Sequence, residues 1–558
     1  MMYKNVIFFI SLFFISACDS SGAFSYKPTS VKESVSNIEI TDVGKTYYWY
    51  GSSFEKGTAW ASCGLCSEGE YEFEWVVDVN NDGIFSKSEP SFKTNYLELN
   101  QHTFNKKIML TVSHPQAVNT LSTVFTPPIV TKSIYSTRGA FALLDTEGKI
   151  NTWGKDYYGG DISVISEQLS EVISIYKNKK SFLAITKNNG AFTWGDDAWG
   201  GNSDTVKDKL RTITQDDIKS VHSNNESFVI LKEDHSVIVW GSPLGGGDIS
   251  AILDQLVDIE TVVAGHNTFA ALKHDGTVVT WGYPYSGGDS SSVQTQLNNV
   301  ERIYAVGTGS SASKGSFAAL KKDGSIVTWG NTNFGGDSSS VQSQLTDIIE
   351  VYANGEAFAA LKSNGTLITW GGSGGDSSLV ASKLVNIKSV FGNEEAFAAL
   401  TAEGNVVTWG QSSSGGNIPS VIQTELYDIV KIYTTEHAFT ALRKDGKVFS
   451  WGNEAYGGNL GAIQEKLDGI VSIYATKDSF AAINEAQQVI SWGASPLPFE
   501  MLENVVTIAP TDHAFSALLL NGDVYSWGNI DFGADQTLAF FPISPTHESQ
   551  SGNTTNDS

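Results

Sequence analysis

Short apolar runs and polar turns alternate along most of this chain at a regular interval. The unit is plain in Phe317 to Asp337, Phe-Ala-Ala-Leu-Lys-Lys-Asp-Gly-Ser-Ile-Val-Thr-Trp-Gly-Asn-Thr-Asn-Phe-Gly-Gly-Asp. An apolar run such as Ala357 to Leu361 or Ala396 to Leu400 is followed by a turn with Gly, as at Asp275-Gly276 and Asp323-Gly324. A second run follows, such as Thr277-Val-Val-Thr-Trp281. Asp-Gly between two apolar runs is a strong hairpin signal. A further apolar strand precedes each pair, for example Glu350-Val-Tyr-Ala353 or Ser472-Ile-Tyr-Ala475. After Trp-Gly comes a polar loop closed by Gly-Gly-Asp or Gly-Gly-Asn, then a segment such as Ser290-Ser-Ser-Val-Gln-Thr-Gln-Leu297. There Ser291 and Gln294 have capping-box spacing and Val293 and Leu297 share a face, which predicts one or two helical turns. Each unit thus predicts three strands and a short helical segment.

Trp-Gly pairs mark ten such units, at Trp153, Trp194, Trp240, Trp281, Trp329, Trp370, Trp409, Trp451, Trp492 and Trp527, with steps of 41, 46, 41, 48, 41, 39, 42, 41 and 35 residues. A period near forty is the signature of a stacked or circular array, because no single unit can bury its apolar face alone. One ring of ten, seven units plus three, and an open array all satisfy the count. Repeat six is shortened (Gly371-Gly-Ser-Gly-Gly375) and repeat nine has Pro496 and Pro498 in place of Gly-Gly. Such late irregularities are expected where a ring closes.

The amino-terminal part follows other rules. Residues 1–17 combine one cation, an apolar run from Val6 to Ile15 and small residues, the pattern of an export signal too short for an ordinary membrane span. Ile15-Ser16-Ala17-Cys18 resembles the lipobox of bacterial lipoproteins. That resemblance implies cleavage before Cys18, lipid on Cys18 as the only membrane attachment, and an extracytoplasmic location at the bacterial cell envelope; a plain secretory signal is the alternative. Residues 18–40 are Ser-rich and polar and read as a tether. Residues 41–130 lack the Trp-Gly phrase. Tyr71-Glu-Phe-Glu-Trp-Val-Val77 alternates in period two, Lys107-Ile-Met-Leu-Thr-Val-Ser113 is a late strand, and Pro127-Pro128 marks a boundary. Length and composition suit a β-sandwich, and the segment resembles bacterial immunoglobulin-like or PKD-like surface modules.

Inside that module, Asp78, Asn80, Asp82, Ile84, Ser86 and Glu89 match the spacing of a calcium loop, with Gly83 at its sharp turn. Ca²⁺ takes six to eight oxygens, and these positions would supply carboxylate, amide, carbonyl and hydroxyl ligands of a structural ion. The competing reading is a plain hairpin turning at Asn81-Asp82-Gly83. No other cofactor is implied. Cys63 and Cys66, in Cys-Gly-Leu-Cys, read first as a local disulfide in an oxidising compartment, with free thiols, redox and metal roles as alternatives.

The repeats resemble the regulator of chromosome condensation family of β-propellers over about Val130 to Asp535. The shared core is Ala-Leu, a Gly four residues on, Trp-Gly nine and ten on, and a Gly six after the Trp, as in Leu320, Gly324, Trp329, Gly330 and Gly335. This chain departs from the family in three ways. Gly-Gln-Leu-Gly is replaced by Gly-Gly-Asp or Gly-Gly-Asn. The His before the Ala-Leu strand is lost, with His266, His437 and His513 displaced from it. The repeats are also about ten residues short, nearer in length to the bacterial propeller that inhibits β-lactamases, which has three-stranded blades. The resemblance therefore implies an all-β chain: a sandwich at 41–130, propeller repeats over 131–540, and a polar tail at 541–558.

Charge narrows the function. With 36 basic and 61 acidic side chains, the net charge is −25, which repels phosphate backbones and excludes a nucleic-acid partner. No His-x-x-x-His pair, Gly-x-Ser-x-Gly elbow or phosphate-cradling loop occurs. The residue five after each tryptophan is often aromatic: Tyr158, Trp199, Phe334, Tyr456 and Phe532. Equivalent loops share one end of a propeller, so these rings would form a partner-binding face, or wedge between repeats as packing. The recurrent Asp161, Asp289, Asp337 and Asp376 read first as caps of the following turn, with cation ligation as the alternative. The leading expectation is a non-enzymatic binding protein taking a protein or glycan partner. The alternatives are a periplasmic inhibitor or assembly factor for an envelope enzyme, and a hydrolase or lyase with a site in a central channel.

Overall fold

The computed structural model describes residues 57–58, 72–78, 91–92, 96–97, 107–113 and 121–125, then 132–534 apart from 189, 307–313, 499–501 and 520–522. Cys18, Cys63, Cys66 and the calcium-loop positions Asn80, Asp82, Ile84, Ser86 and Glu89 lie outside the described residues. So do the export signal, the tether and the tail.

In the amino-terminal part, β1 (Gly57–Thr58) pairs with β4 (Tyr96–Leu97). β2 (Glu72–Asp78), β3 (Ser91–Phe92), β5 (Lys107–Ser113) and β6 (Leu121–Phe125) form an antiparallel sheet in the order β3-β2-β5-β6. Both strands expected from the pattern are present, and Asp78 ends β2. Among the described residues the amino-terminal part holds this four-stranded sheet and the two-stranded β1–β4 pair.

Ten three-stranded antiparallel sheets follow, each made of three consecutive strands with the second in the middle. The first contains β7 (Lys132–Ser136), β8 (Ala140–Asp145) and β9 (Ile150–Gly154); the tenth ends at Val524–Gly528. Each middle strand is buried on both faces, which explains its unbroken apolar run. Its alanines admit the neighbouring sheet closely. Its Phe stacks on the Trp of the third strand, with centroids 5.2 Å apart for Phe317 and Trp329.

The tryptophan also joins repeats. Trp329 Nε1 donates to the Gly287 carbonyl of the preceding repeat at 3.0 Å, and the same bond recurs from Trp194 through Trp492. The acceptor must be glycine. At Gly335, φ is 91°, and a Cβ would lie 2.7 Å from the Phe358 ring of the next sheet.

The segment after Gly-Gly-Asp forms turns and a short 3₁₀ helix, Gln342–Gln344 in repeat five, without a side-chain cap. The capping-box expectation is corrected here: Ser338 Oγ donates to Gln342 Oε1 at 2.8 Å, and Gln342 Nε2 donates to Ile326 O of the outer strand at 3.0 Å. The same arrangement links Ser290, Gln294 and Val278. The glutamine thus covers an open sheet edge instead of a helix start.

First strands of neighbouring sheets touch around a common axis, and the tenth touches β7. Ile134, Phe141 and Trp153 share a core cluster with Ala509, Ala514 and Phe532. Ser136 Oγ donates to Pro510 O at 2.5 Å, and Asp512 N donates to Arg138 O at 3.2 Å. The units therefore close as one ring of ten, a β-propeller of three-stranded blades. The irregular ninth repeat sits one joint before the closure. Lacking the glycine carbonyl there, the buried Trp527 Nε1 has no hydrogen-bond partner among the described residues. Trp153, across the closing joint, donates to Ser526 Oγ.

The first strands line the axis. Tyr135, Tyr176, Tyr304, Tyr352, Tyr433 and Tyr474 occupy one equivalent position there, and burial pushes the hydroxyl pKa of Tyr135, Tyr304, Tyr352, Tyr433 and Tyr474 upward. His222 holds this position in repeat three.

Candidate functional site

At one end of the ring, the loop between first and second strands meets the loop after Trp-Gly. A Thr or Asn opening the first loop pins the second: Thr137 Oγ1 donates to Tyr158 O at 2.8 Å, Thr435 Oγ1 to Tyr456 O at 2.9 Å and Thr511 Oγ1 to Phe532 O at 2.9 Å. Asn178 Nδ2 does the same to Trp199 O at 2.5 Å. The five aromatics expected at this end are all there. Tyr158 is in the core, 8% exposed, while Trp199, Phe334, Tyr456 and Phe532 are half-buried.

Each half-buried ring meets a cation or imidazole from the loop between first and second strands. Lys180 Nζ lies 3.9 Å from the centre of Trp199 and 4.6 Å from that of Tyr157. Lys314 lies over Phe334 at 5.5 Å, and His437 and His513 meet Tyr456 and Phe532 edge-on at 4.6 and 4.5 Å. Aromatic faces attract cations electrostatically, so these contacts orient both partners.

Closer to the axis runs a chain of charges. Lys314 pairs with Glu356 at 2.7 Å, Lys477 with Glu436 at 2.8 Å and Asp512 at 3.4 Å, and Arg138 with Asp512 at 2.9 Å. Backbone bonds run alongside, from Glu394 N to Glu436 O, Glu436 N to Lys477 O, and Lys477 N to Asp512 O. The result is a collar with an acidic arc at Glu356, Glu394, Glu395 and Glu436 and a basic arc at Arg138, Lys179 and Lys180. Burial, reinforced by Glu436, raises the Glu394 pKa. Burial opposes the charge of Lys477, but Asp512 and Glu436 outweigh it and raise its pKa. Asp478 is likewise buried, yet the His513 hydrogen bond at 2.6 Å keeps its pKa below the ordinary value.

One cluster brings Ser414, His437 and Glu395 together. Ser414 Oγ lies 2.7 Å from Glu395 Oε2 and 3.0 Å from His437 Nδ1, and the same Nδ1 faces Glu395 at 3.6 Å. Both contacts fall on one ring nitrogen and Ser414 is buried, so no relay leads from the carboxylate through imidazole to an exposed hydroxyl. Among the described residues no group of three or more His, Cys, Asp or Glu side chains is placed to hold a metal. The repeated aspartates serve as turn caps: Asp161, Asp289, Asp337 and Asp376 each accept from the amide two residues on.

The sequence reading missed the charged position before the middle strand, which carries Lys180, Glu356, Glu395, His437, Asp478 and His513. Its signal was present in Glu356-Ala-Phe358, Glu395-Ala-Phe397, His437-Ala-Phe439 and His513-Ala-Phe515, a polar residue of variable charge ahead of Ala-Phe, and in Lys180-Ser-Phe182 and Asp478-Ser-Phe480.

No protein-family model matches this chain, and no curated protein does. Among solved structures, the chain is similar to yeast RCC1 (Prp20), in its complex with Kap60, at 17% identity over 45% of this chain and 74% of that one, with a TM-score of 0.27. It is similar to human WBSCR16 at 13% identity over 54% and 88%, TM-score 0.27. The ectodomain of the Physcomitrella patens receptor kinase CR4 matches at 18% identity over 47% and 70%, TM-score 0.27. These are distant likenesses among repeat proteins, and the fold assignment rests on the ten sheets themselves.

Proposed function

We propose that this chain is a non-enzymatic binding protein of the bacterial cell envelope, held there by lipid on Cys18, whose collar captures a protein partner. The observation that carries the reading is the convergence, at one end of a rigid ring, of half-buried aromatics with cations, imidazoles and segregated acidic and basic arcs. Rings set in a polar rim are the usual anchors of protein interfaces, and segregated charge supplies orientation. The amino-terminal module, read as an immunoglobulin-like sandwich with a structural Ca²⁺, would space the ring from the membrane.

The test is a crosslinking pull-down from the native envelope with the full chain and two variants. One carries Trp199→Ala, Phe334→Ala and Tyr456→Ala; the other carries Glu356→Gln and Glu395→Gln, which keep shape. Capture should fall at least tenfold in both while circular dichroism is unchanged. Full capture by the folded glutamine variant and by the alanine variant would overturn the reading.

A further inference from the structure

The end of the ring opposite the collar carries the hairpin turns between second and third strands. Among the described residues, the left-handed position of that turn is glycine, as at Gly276 and Gly324, in all repeats but two. Repeat nine has Gln487 there, and repeat three has His235 at φ 65°. A side chain at a position built for glycine is a backbone outlier, and such outliers gather at functional sites. His235 does not stand alone. The next turn, in repeat four, begins with His274, where repeats two, five and eight carry Lys187, Lys322 and Lys444. The two imidazoles meet edge to face, with ring centres 4.5 Å apart and planes at 84°. No other pair of neighbouring turns carries two histidines. His235 is half-buried and His274 is exposed.

Both rings are anchored through the same nitrogen. His235 Nδ1 lies 3.2 Å from the Ile259 carbonyl, and His274 Nδ1 lies 3.2 Å from the Asp258 carbonyl and 3.2 Å from Asp258 Oδ1. Carbonyl and carboxylate oxygens only accept, so each Nδ1 carries a proton and donates, which leaves each Nε2 with its lone pair. Among the described residues neither Nε2 has a partner. An imidazole held by a carbonyl or carboxylate on one nitrogen and open on the other is the form that ligates metals. Two imidazole nitrogens about 2.0–2.1 Å from one ion place their ring centres about 4.5–5.2 Å apart at bond angles of about 90–109°. The observed 4.5 Å meets that requirement. We infer that His235 and His274 bind a divalent first-row transition ion of imidazole preference, Zn²⁺ or Cu²⁺, across the joint between repeats three and four. Among the described residues no third His, Cys, Asp or Glu side chain is placed to join them. Water therefore completes the sphere, and the ion is exchangeable. The inference does not depend on what the collar binds.

The test adds one equivalent of Cu²⁺ to the full chain and reads its electron paramagnetic resonance spectrum, which should show coupling to two imidazole nitrogens. His235→Gly and His274→Lys each install a residue that other repeats already carry at that position, so circular dichroism should be unchanged. Each should remove the two-nitrogen coupling and weaken Cu²⁺ binding at least tenfold in competition dialysis. Zn²⁺ should raise the melting temperature of the unaltered chain more than that of either variant, because an ion bound only by the folded joint stabilises it. An unaltered chain without two-nitrogen coupling, or a folded variant that keeps it, would overturn the inference. So would a melting temperature that Zn²⁺ shifts equally in all three chains, since the ion would then sit elsewhere.

Discussion

Trp329 does two things with one side chain: its ring stacks on Phe317 in its own sheet, and its indole N–H reaches Gly287 in the preceding one. Trp527 keeps the stacking, on Phe515, but its N–H is buried without an acceptor among the described residues. The two positions therefore separate packing from hydrogen bonding. Trp329→Phe loses both, while Trp527→Phe loses packing and relieves an unsatisfied donor. Urea denaturation should show Trp329→Phe destabilising by about 1–3 kcal/mol more than Trp527→Phe; equal losses would show that the inter-repeat bond contributes nothing. His222 is the second residue with a distinct signature. Burial lowers its pKa to about 4, against about 6.5 in the unfolded chain. Its folded form holds the proton less tightly than the unfolded form, so stability is full above about pH 6.5 and is lost as pH falls toward 4. His222→Tyr, which restores the residue used in six other repeats, should flatten that loss. Parallel melting curves at pH 7 and pH 4.5 for the two proteins would check it, and an unchanged pH slope would remove His222 as its source.

At the scale of the element, what the sequence discloses depends on how completely each strand is buried. The middle strand is enclosed on both faces, so Ala-Phe-Ala-Ala-Leu can hardly vary and its limits are legible. The hairpin turn and the Trp-Gly pair are legible for the same reason, since Gly324 has a positive φ and Trp329 has one acceptor. The segment from Ser338 to Leu345 is different. Its Ser and Gln have helix-cap spacing, but the backbone carbonyl of Ile326 competes for the same glutamine and wins, because an open sheet edge leaves that acceptor available. Nothing local in the sequence distinguishes those two uses of one side chain. The loop between first and second strands was harder still. Three residues long in every repeat but the fifth, it has no period, and His437 acquires its aromatic neighbour Tyr456 only when the adjacent loop is pinned against it.

For the whole molecule, the number of repeats was countable from the Trp-Gly pairs, but their closure was not. One contact that closes the ring runs from the Ser136 hydroxyl to the main-chain carbonyl of Pro510, 374 residues apart, and neither residue stands in a special pattern. Near that joint, Asp512 is the hinge of the charge network, facing Arg138 on one side and Lys477 on the other, with only 6% of its side chain exposed. Removing one member of a buried ionic group strands the others, typically at about 3–5 kcal/mol. Asp512→Ala should therefore lower the calorimetric melting temperature clearly, with Asp512→Asn intermediate, whereas Asp323→Ala on an exposed turn should have little effect. A shift at Asp512 no larger than at Asp323 would show that shape, not charge, holds the ends together.

Every sheet of the ring is woven from three strands adjacent in sequence, and none of these ten sheets borrows a strand from the other end of the chain. The joint between repeats ten and one is thus the same kind of surface contact as the other nine. Tandem gain or loss of one unit of about forty residues would change the girth of the ring without rethreading a single sheet. Ten is then an inherited setting of this chain rather than a demand of its topology, and the width of the axis is open to revision by whole-unit duplication.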